Sequence, residues 1–174
     1  HLLIYVGFIL INIEVLEIIL DGVFGTHRVF ASIFNNSYHY VISFFEFLAI
    51  LVIISCVFFL IRRNILKIDR FQKVELFGWP NLDANIILIA EIILMVAILT
   101  MNAADLSLQS VNSENYTKTG LFYFSNYLTP MLNGFDESQL IFIERTAWWV
   151  HIVGIFSFAL YVTYSKHLHI FLAF

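Results

Sequence analysis

Four long stretches of this chain are apolar almost without interruption, and the polar residues gather between them. They read HLLIYVGFILINIEVLEIIL at 1–20, YVISFFEFLAILVIISCVFFLI at 40–61, ANIILIAEIILMVAILTMNAA at 84–104, and a less sharply bounded run at about 146–166. Each approaches the ~20 residues a helix needs to cross ~30 Å of hydrocarbon. Lipid offers nothing to pair a stray backbone group, so only helices or a closed barrel cross it, and these lengths favour helices. The pattern predicts an all-α integral membrane four-helix bundle. DESQLIFIER, at 136–145, predicts a capped approach to the fourth span. The longest connection, Leu106 to Phe135, contains TGLFYFSNYLTPMLNGF, which predicts an interfacial or re-entrant piece over one end of the bundle. No repeat or low-complexity linker divides the chain, so residues 1–174 are expected to form a single transmembrane domain.

Composition agrees. Hydrophobic residues make up 60% of the chain and charged ones 13%, where a soluble domain has about half and about a quarter. The single cysteine, Cys56, excludes a disulfide framework, a zinc site or an iron–sulfur cluster built from these residues. The net charge of −4 argues against nucleic acid as a partner. The chain opens on His1 and stops at Phe174 in mid-pattern, which reads as a fragment of a longer protein. Basic residues fix the expected orientation. Arg62, Arg63, Lys67, Arg70 and Lys73 crowd the second connection, and Lys166 ends the fourth span on the same side. Arg28, Lys118 and Arg145 lie opposite, among more numerous acids. The positive-inside rule puts the 62–73 loop and the C-terminal end in the cytoplasm.

Histidines change the picture from class to chemistry. His151 and His169 are 18 residues apart, five turns of an α-helix, so they share a face about 27 Å apart. His167 points about 160° away by the same geometry. The first span runs antiparallel to the fourth, which sets His1 at the level of His169 and His27 at the level of His151. Imidazoles facing each other inside a bundle are how two axial ligands hold the iron of a b-type haem. The expected ligands are therefore His1 with His169 and His151 with His27, and His39 is an alternative to His27. Two haems stacked in this way would carry electrons across the membrane. The plainer account makes these histidines interfacial groups bonded to headgroups or loop carbonyls.

The segment WWVHIVGIFSFALYVTYSKHLHI resembles the last haem-bearing helix of nitrate reductase gamma subunits and of heterodisulfide reductase-like membrane anchors. There a histidine early in the helix, and another just after a Ser-Arg or Ser-Lys pair, are ligands; here these are His151, Ser165-Lys166 and His169. HLLIYVGFILINIEVLEIILDGVFGTHRVF and FFLIRRN resemble bacterial (Fe-S)-binding proteins of the heterodisulfide-reductase kind, in which such a membrane part precedes a cytoplasmic ferredoxin-like region. The resemblance implies a bacterial inner-membrane cytochrome b domain carrying haem b. Its partners would be lipid, the quinone pool and a cytoplasmic iron–sulfur domain or subunit. Nitrate reductase gamma subunits have a further ligand ten residues into the corresponding first helix. Ile11 stands there in this chain, so the resemblance supplies no second ligand for an outer haem.

Carboxylates inside apolar spans are costly and tend to be functional. Glu14, Glu17 and Glu46, with Glu144 near the same level, are candidates for proton transfer as a quinol loses protons with its electrons. Their bland role is to be protonated, or paired with Arg28, Arg145 or backbone, as glue between helices. Trp148 and Trp149 read as interface anchors. The expected function is electron relay between quinone and iron–sulfur centres. A haem-free membrane anchor or transporter subunit is the alternative.

Overall fold

The computed structural model describes residues 2–34, 37–66, 78–111, 116 and 118–164, with the side chains of residues 2–12, 32 and 80 outside that description. It is helical, and no strand occurs among the described residues. Helix α1 covers Leu2–Phe24, a single turn α2 covers Ala31–Phe34, and α3 covers Tyr38–Leu60, continued by a π-helical turn at Ile61–Ile65. Helix α4 runs Trp79–Val111 and α5 runs Glu137–Tyr164. Two 3-10 turns, Ser125–Tyr127 and Thr129–Leu132, lie between α4 and α5.

Local chemistry sets the ends. At the close of α1, Gly25 enters the left-handed region (φ 65°) and Thr26 N–H returns to the Asp21 carbonyl at 3.2 Å, a common helix terminus. At the start of α5, Asp136 Oδ1 accepts from the Gln139 N–H at 2.8 Å, while Gln139 Oε1 accepts from the Asp136 N–H at 3.0 Å. This reciprocal capping box satisfies two orphan donors. It is the capped approach that DESQ predicts.

Among the described residues, three helices are long and apolar enough to cross a membrane: Tyr38–Ile65, Asn81–Val111 and Glu137–Tyr164. Helix α1, with 23 residues, is about 35 Å long. On α3, Ile42, Phe45, Glu46, Ala49 and Cys56 are buried, whereas Leu51, Ile54, Val57, Phe58 and Phe59 are exposed. Apolar surface on this scale is rare on a soluble monomer and suits a lipid-facing wall.

Helices α4 and α5 pack along much of their length, and α3 lies against α4. Their core joins Leu94, Met95, Ile98, Leu99 and Met101 of α4 to Ala147 and Ile152 of α5, with Ile18 and Ala49 beside them. Gly154 makes the crossing close, since a Cβ there would lie 2.6 Å from Leu94 Cδ2. Contacts of α1 with α3 and α5 are sparse by comparison. The 121–135 segment covers the end of the bundle where α1 finishes and α3 starts. Phe122 is fully buried there against Tyr38, Ile42 and Phe45, while Leu121, Tyr123, Tyr127 and Met131 remain exposed. This mixture fits an interfacial cap.

Candidate functional site

At the capped end, the chain buries a guanidinium. Arg28 is 7% exposed and has φ of 56°, a left-handed conformation uncommon for a residue with a Cβ. Asp21 holds that loop: its carboxylate accepts from Thr26 Oγ1 (2.9 Å), the Arg28 N–H (2.9 Å) and the Val29 N–H (3.1 Å). The Arg28 side chain turns inward over the Phe122 ring, 5.3 Å from its centroid. Its Nε donates to Asp105 Oδ2 at 3.0 Å, and Nη2 lies 2.9 Å from the same oxygen. Nη2 also donates to Asn102 Oδ1 at 2.7 Å and Nη1 to Tyr38 OH at 3.3 Å. Burial alone would make the guanidinium easier to deprotonate, but Tyr38, Asp105 and Glu17 outweigh it and hold Arg28 charged, well above its usual range.

Two of the carboxylates expected to move protons, Glu17 and Glu46, accept hydrogen bonds around this cage. Glu17 Oε1 accepts from the Phe30 N–H at 2.9 Å and Oε2 from Tyr38 OH at 2.8 Å. Glu46 Oε2 accepts from the Phe124 and Ser125 N–H groups at 2.9 and 3.2 Å, and Oε1 from Asn102 Nδ2 at 3.3 Å. Glu46 thereby fixes the first 3-10 turn of the capping segment to α3. Glu14 and Glu144 differ. Glu14 Oε1 and Glu144 Oε2 are buried without a hydrogen-bond partner among the described residues. The Arg145 Nε lies 3.2 Å from Glu144 Oε2 as an ion pair, without the alignment of a hydrogen bond. Buried unsatisfied polar atoms are uncommon enough to call for an explanation, so these two carry more weight than Glu17 and Glu46.

The histidines separate in the same way. His151 is 2% exposed, and its Nδ1 lies 2.9 Å from the Leu94 carbonyl. A carbonyl only accepts, so Nδ1 carries the proton and Nε2 the lone pair. Metal-bound imidazoles take this arrangement, with the other nitrogen donating to a carbonyl. The cavity beside His151 is lined by Glu14, Val15, Phe45, Ala49, Met95 and Ile98, at the seam between α1 and the other helices. The cavity is small, about 10 Å³, so the orientation of the imidazole, and not the space beside it, is what resembles a metal ligand.

His27 is oriented otherwise. Its Nε2 meets Asp105 Oδ1 at 2.8 Å, which the carboxylate accepts, and its ring meets Tyr116 edge-on at 4.9 Å. His27 lines a different cavity from His151, so the structure does not bring this expected pair together. His39 begins α3 and tilts on Tyr40 at 3.9 Å, with Gly120 against it; it does not line the His151 cavity either. His1 and His169, the other expected pair, lie outside the described residues, as do Ser165 and Lys166.

Sequence reasoning missed Asn102, Asp105, Gln109 and Tyr38. The spacing of the first three, three and then four residues apart, places them on one helical face. Gln109 bridges Asp105 to Thr119, whose N–H it receives at 3.1 Å. A polar stripe at the end of an apolar span, with one arginine in the facing loop, was the available signal.

The chain is 24% identical over 173 residues to the protein described as "Probable iron-sulfur-binding oxidoreductase FadF" of Bacillus subtilis (strain 168). The match takes in 98% of this chain and 22% of that protein, so the chain spans about a fifth of its relative's length. No family model matches the chain, and no solved structure does. The likeness is to an iron–sulfur oxidoreductase.

Proposed function

We propose that this chain is the membrane part of a quinone-linked oxidoreductase, a four-span b-type cytochrome domain relaying electrons between the quinone pool and iron–sulfur centres. Those centres would belong to a cytoplasmic domain or partner, and the membrane would be the bacterial inner membrane. The 62–73 loop and the C-terminal end would face the cytoplasm, leaving the capped end outside. The observation that carries this reading is His151, buried at the α1 seam with Nδ1 given to the Leu94 carbonyl and Nε2 left with its lone pair. Likeness to an iron–sulfur-binding oxidoreductase supports it from a separate direction.

Haem b, when bound, would supply one-electron chemistry that no side chain here offers. His151 would hold it through Nε2, and Leu94 would keep that ring from turning. His27 would serve as second ligand only on giving up Asp105, and His39 is the alternative. His1 and His169 would hold a second haem at the opposite end. Glu14 and Glu144 would be the groups with capacity to hold a proton near the outer side, Glu144 beside its ion-pair partner Arg145, whereas Glu17 and Glu46 would act as fasteners.

A reduced-minus-oxidised absorption spectrum of the purified full-length protein tests this. Bands of b-type haem are expected, and His151→Ala should remove about one haem per chain while His169→Ala removes another. A protein without haem bands would be a haem-free anchor or transporter subunit, the reading favoured by the His27–Asp105 bond.

A further inference from the structure

At the end of α3 away from the cap, two adjacent arginines meet different surroundings. Within the π turn at Ile61–Ile65, Arg63 points inward and its Nε donates to Asn81 Oδ1 near the start of α4. Arg62 lies on the outer wall, its guanidinium over the exposed ring of Phe58. Among the described residues no acid pairs with Arg62, and every ion pair lies at the capped end. A guanidinium carries five N–H donors in a planar fork, so this one faces an acceptor from outside the chain.

Three observations point to the kind of acceptor. Trp79, exposed two residues before Asn81, marks the depth of the headgroups, where tryptophans gather. Ile54, Phe58 and Arg62 recur every four residues and so share one face of the helix; both apolar side chains are exposed. The fork thus stands at the head of a strip on which an acyl chain can lie. The charge agrees, since the stretch 62–73 carries five basic residues against one acid, Asp69.

We propose that Arg62 and the Ile54–Phe58 face of α3 hold an anionic phospholipid, with its phosphate on the guanidinium fork and an acyl chain along the helix. Arginine suits this place because its fork takes two phosphate oxygens at once. Neither haem nor quinone enters the site, so it stands or falls apart from the electron-relay reading.

Native mass spectrometry of the purified full-length protein tests it. Titration with phosphatidylglycerol, and with phosphatidylcholine of the same chains, gives a Kd for the first lipid bound, and the ratio of the two is the lipid preference. Arg62→Gln should cut the preference for phosphatidylglycerol about fivefold, the worth of one basic residue at an anionic surface. Arg63→Gln removes the same charge from the inward side and should leave the preference within twofold. Melting temperatures establish that each variant is folded. Equal losses in the two variants overturn the site, because the preference then belongs to the field of the whole basic stretch. An unchanged preference in Arg62→Gln overturns it too, leaving Arg62 a solvated surface group. Phe58→Leu keeps every charge and removes the ring under the guanidinium, so the preference should fall about threefold. That variant decides the matter if Arg62→Gln does not fold, and no change in it overturns the site. Glycerol phosphate, which has the anion without the chains, should not compete at millimolar concentration; competition would mark a site for free anions and overturn the lipid.

Discussion

The Arg28 cage and the His151 seam sit at neighbouring levels of one bundle and solve opposite problems. In the cage, Tyr38 of α3 and Asn102 and Asp105 of α4 meet one guanidinium, and Glu17, Glu46, Asp21 and Asp105 all have hydrogen-bond partners. At the seam a buried histidine has one nitrogen anchored, and a carboxylate across the same cavity has an oxygen with no partner. A fully satisfied polar network rigidifies and specifies a fold, while a partly satisfied one is a place of high energetic stakes. The contrast separates residues that hold the bundle from residues that have capacity left for chemistry, although all of them are acids or histidines in apolar surroundings.

The largest effect should come from the cage. Arg28→Met breaks a buried ion pair and leaves Asp105 with His27 and Gln109 as its partners, and the loss is expected to be about 3–5 kcal/mol, read by denaturant or thermal unfolding in detergent. A loss below about 1 kcal/mol, the range of exposed pairs, would mean that water reaches Asp105 and that the cage is no tighter than the seam. Gly154→Ala should matter less. Its Cβ would meet the mobile tip of Leu94, so the cost should sit at the low end of overpacking, about 1 kcal/mol. If the Leu94 carbonyl orients His151 toward the haem proposed above, the same variant should also shift that haem's absorption bands, whereas unchanged bands would detach Leu94 from the site. The smallest effect belongs to the α5 cap. Hydrogen bonds from the Gln139 N–H and the Ser138 hydroxyl hold Asp136 below the ordinary aspartate value of 3.8. A lowered folded pKa gives stability that is present above the unfolded value and lost as pH falls through the folded one. The gap in melting temperature between native protein and Asp136→Ala should therefore narrow as pH drops below that value. A gap that widens on acidification would remove Asp136 from the cap.

Much of the fold was legible because hydropathy and helix length are local properties. The runs at 40–61 and 84–104 fall inside α3 with its π turn and inside α4, and DESQ caps α5 as its residues require. The ends were misjudged where polar residues begin: α4 continues past Ala104 because Asp105 and Gln109 find buried partners on its inner face, which an average over neighbours does not register. Periodicity likewise put His151 on an inward face. It could not say what stands opposite. On α1 Glu17 is held by Tyr38, and it is Glu14, not His27, that lines the His151 cavity. Glu17 and Glu46 looked like Glu14 for the same reason, since a satisfied carboxylate and a spare one have identical letters.

The π turn at Ile61–Ile65 sets the bearing of two neighbouring arginines. Arg63 Nε donates to Asn81 at the foot of α4 at 2.6 Å, while Arg62 lies over the Phe58 ring at 5.4 Å. One clasps the interior and the other rests on the lipid-facing wall. Such turns hold one residue more than an α-helical turn. Deleting Ile61 would wind both side chains back by about 100°, breaking the clasp on α4 and re-aiming the positive charge without altering its amount.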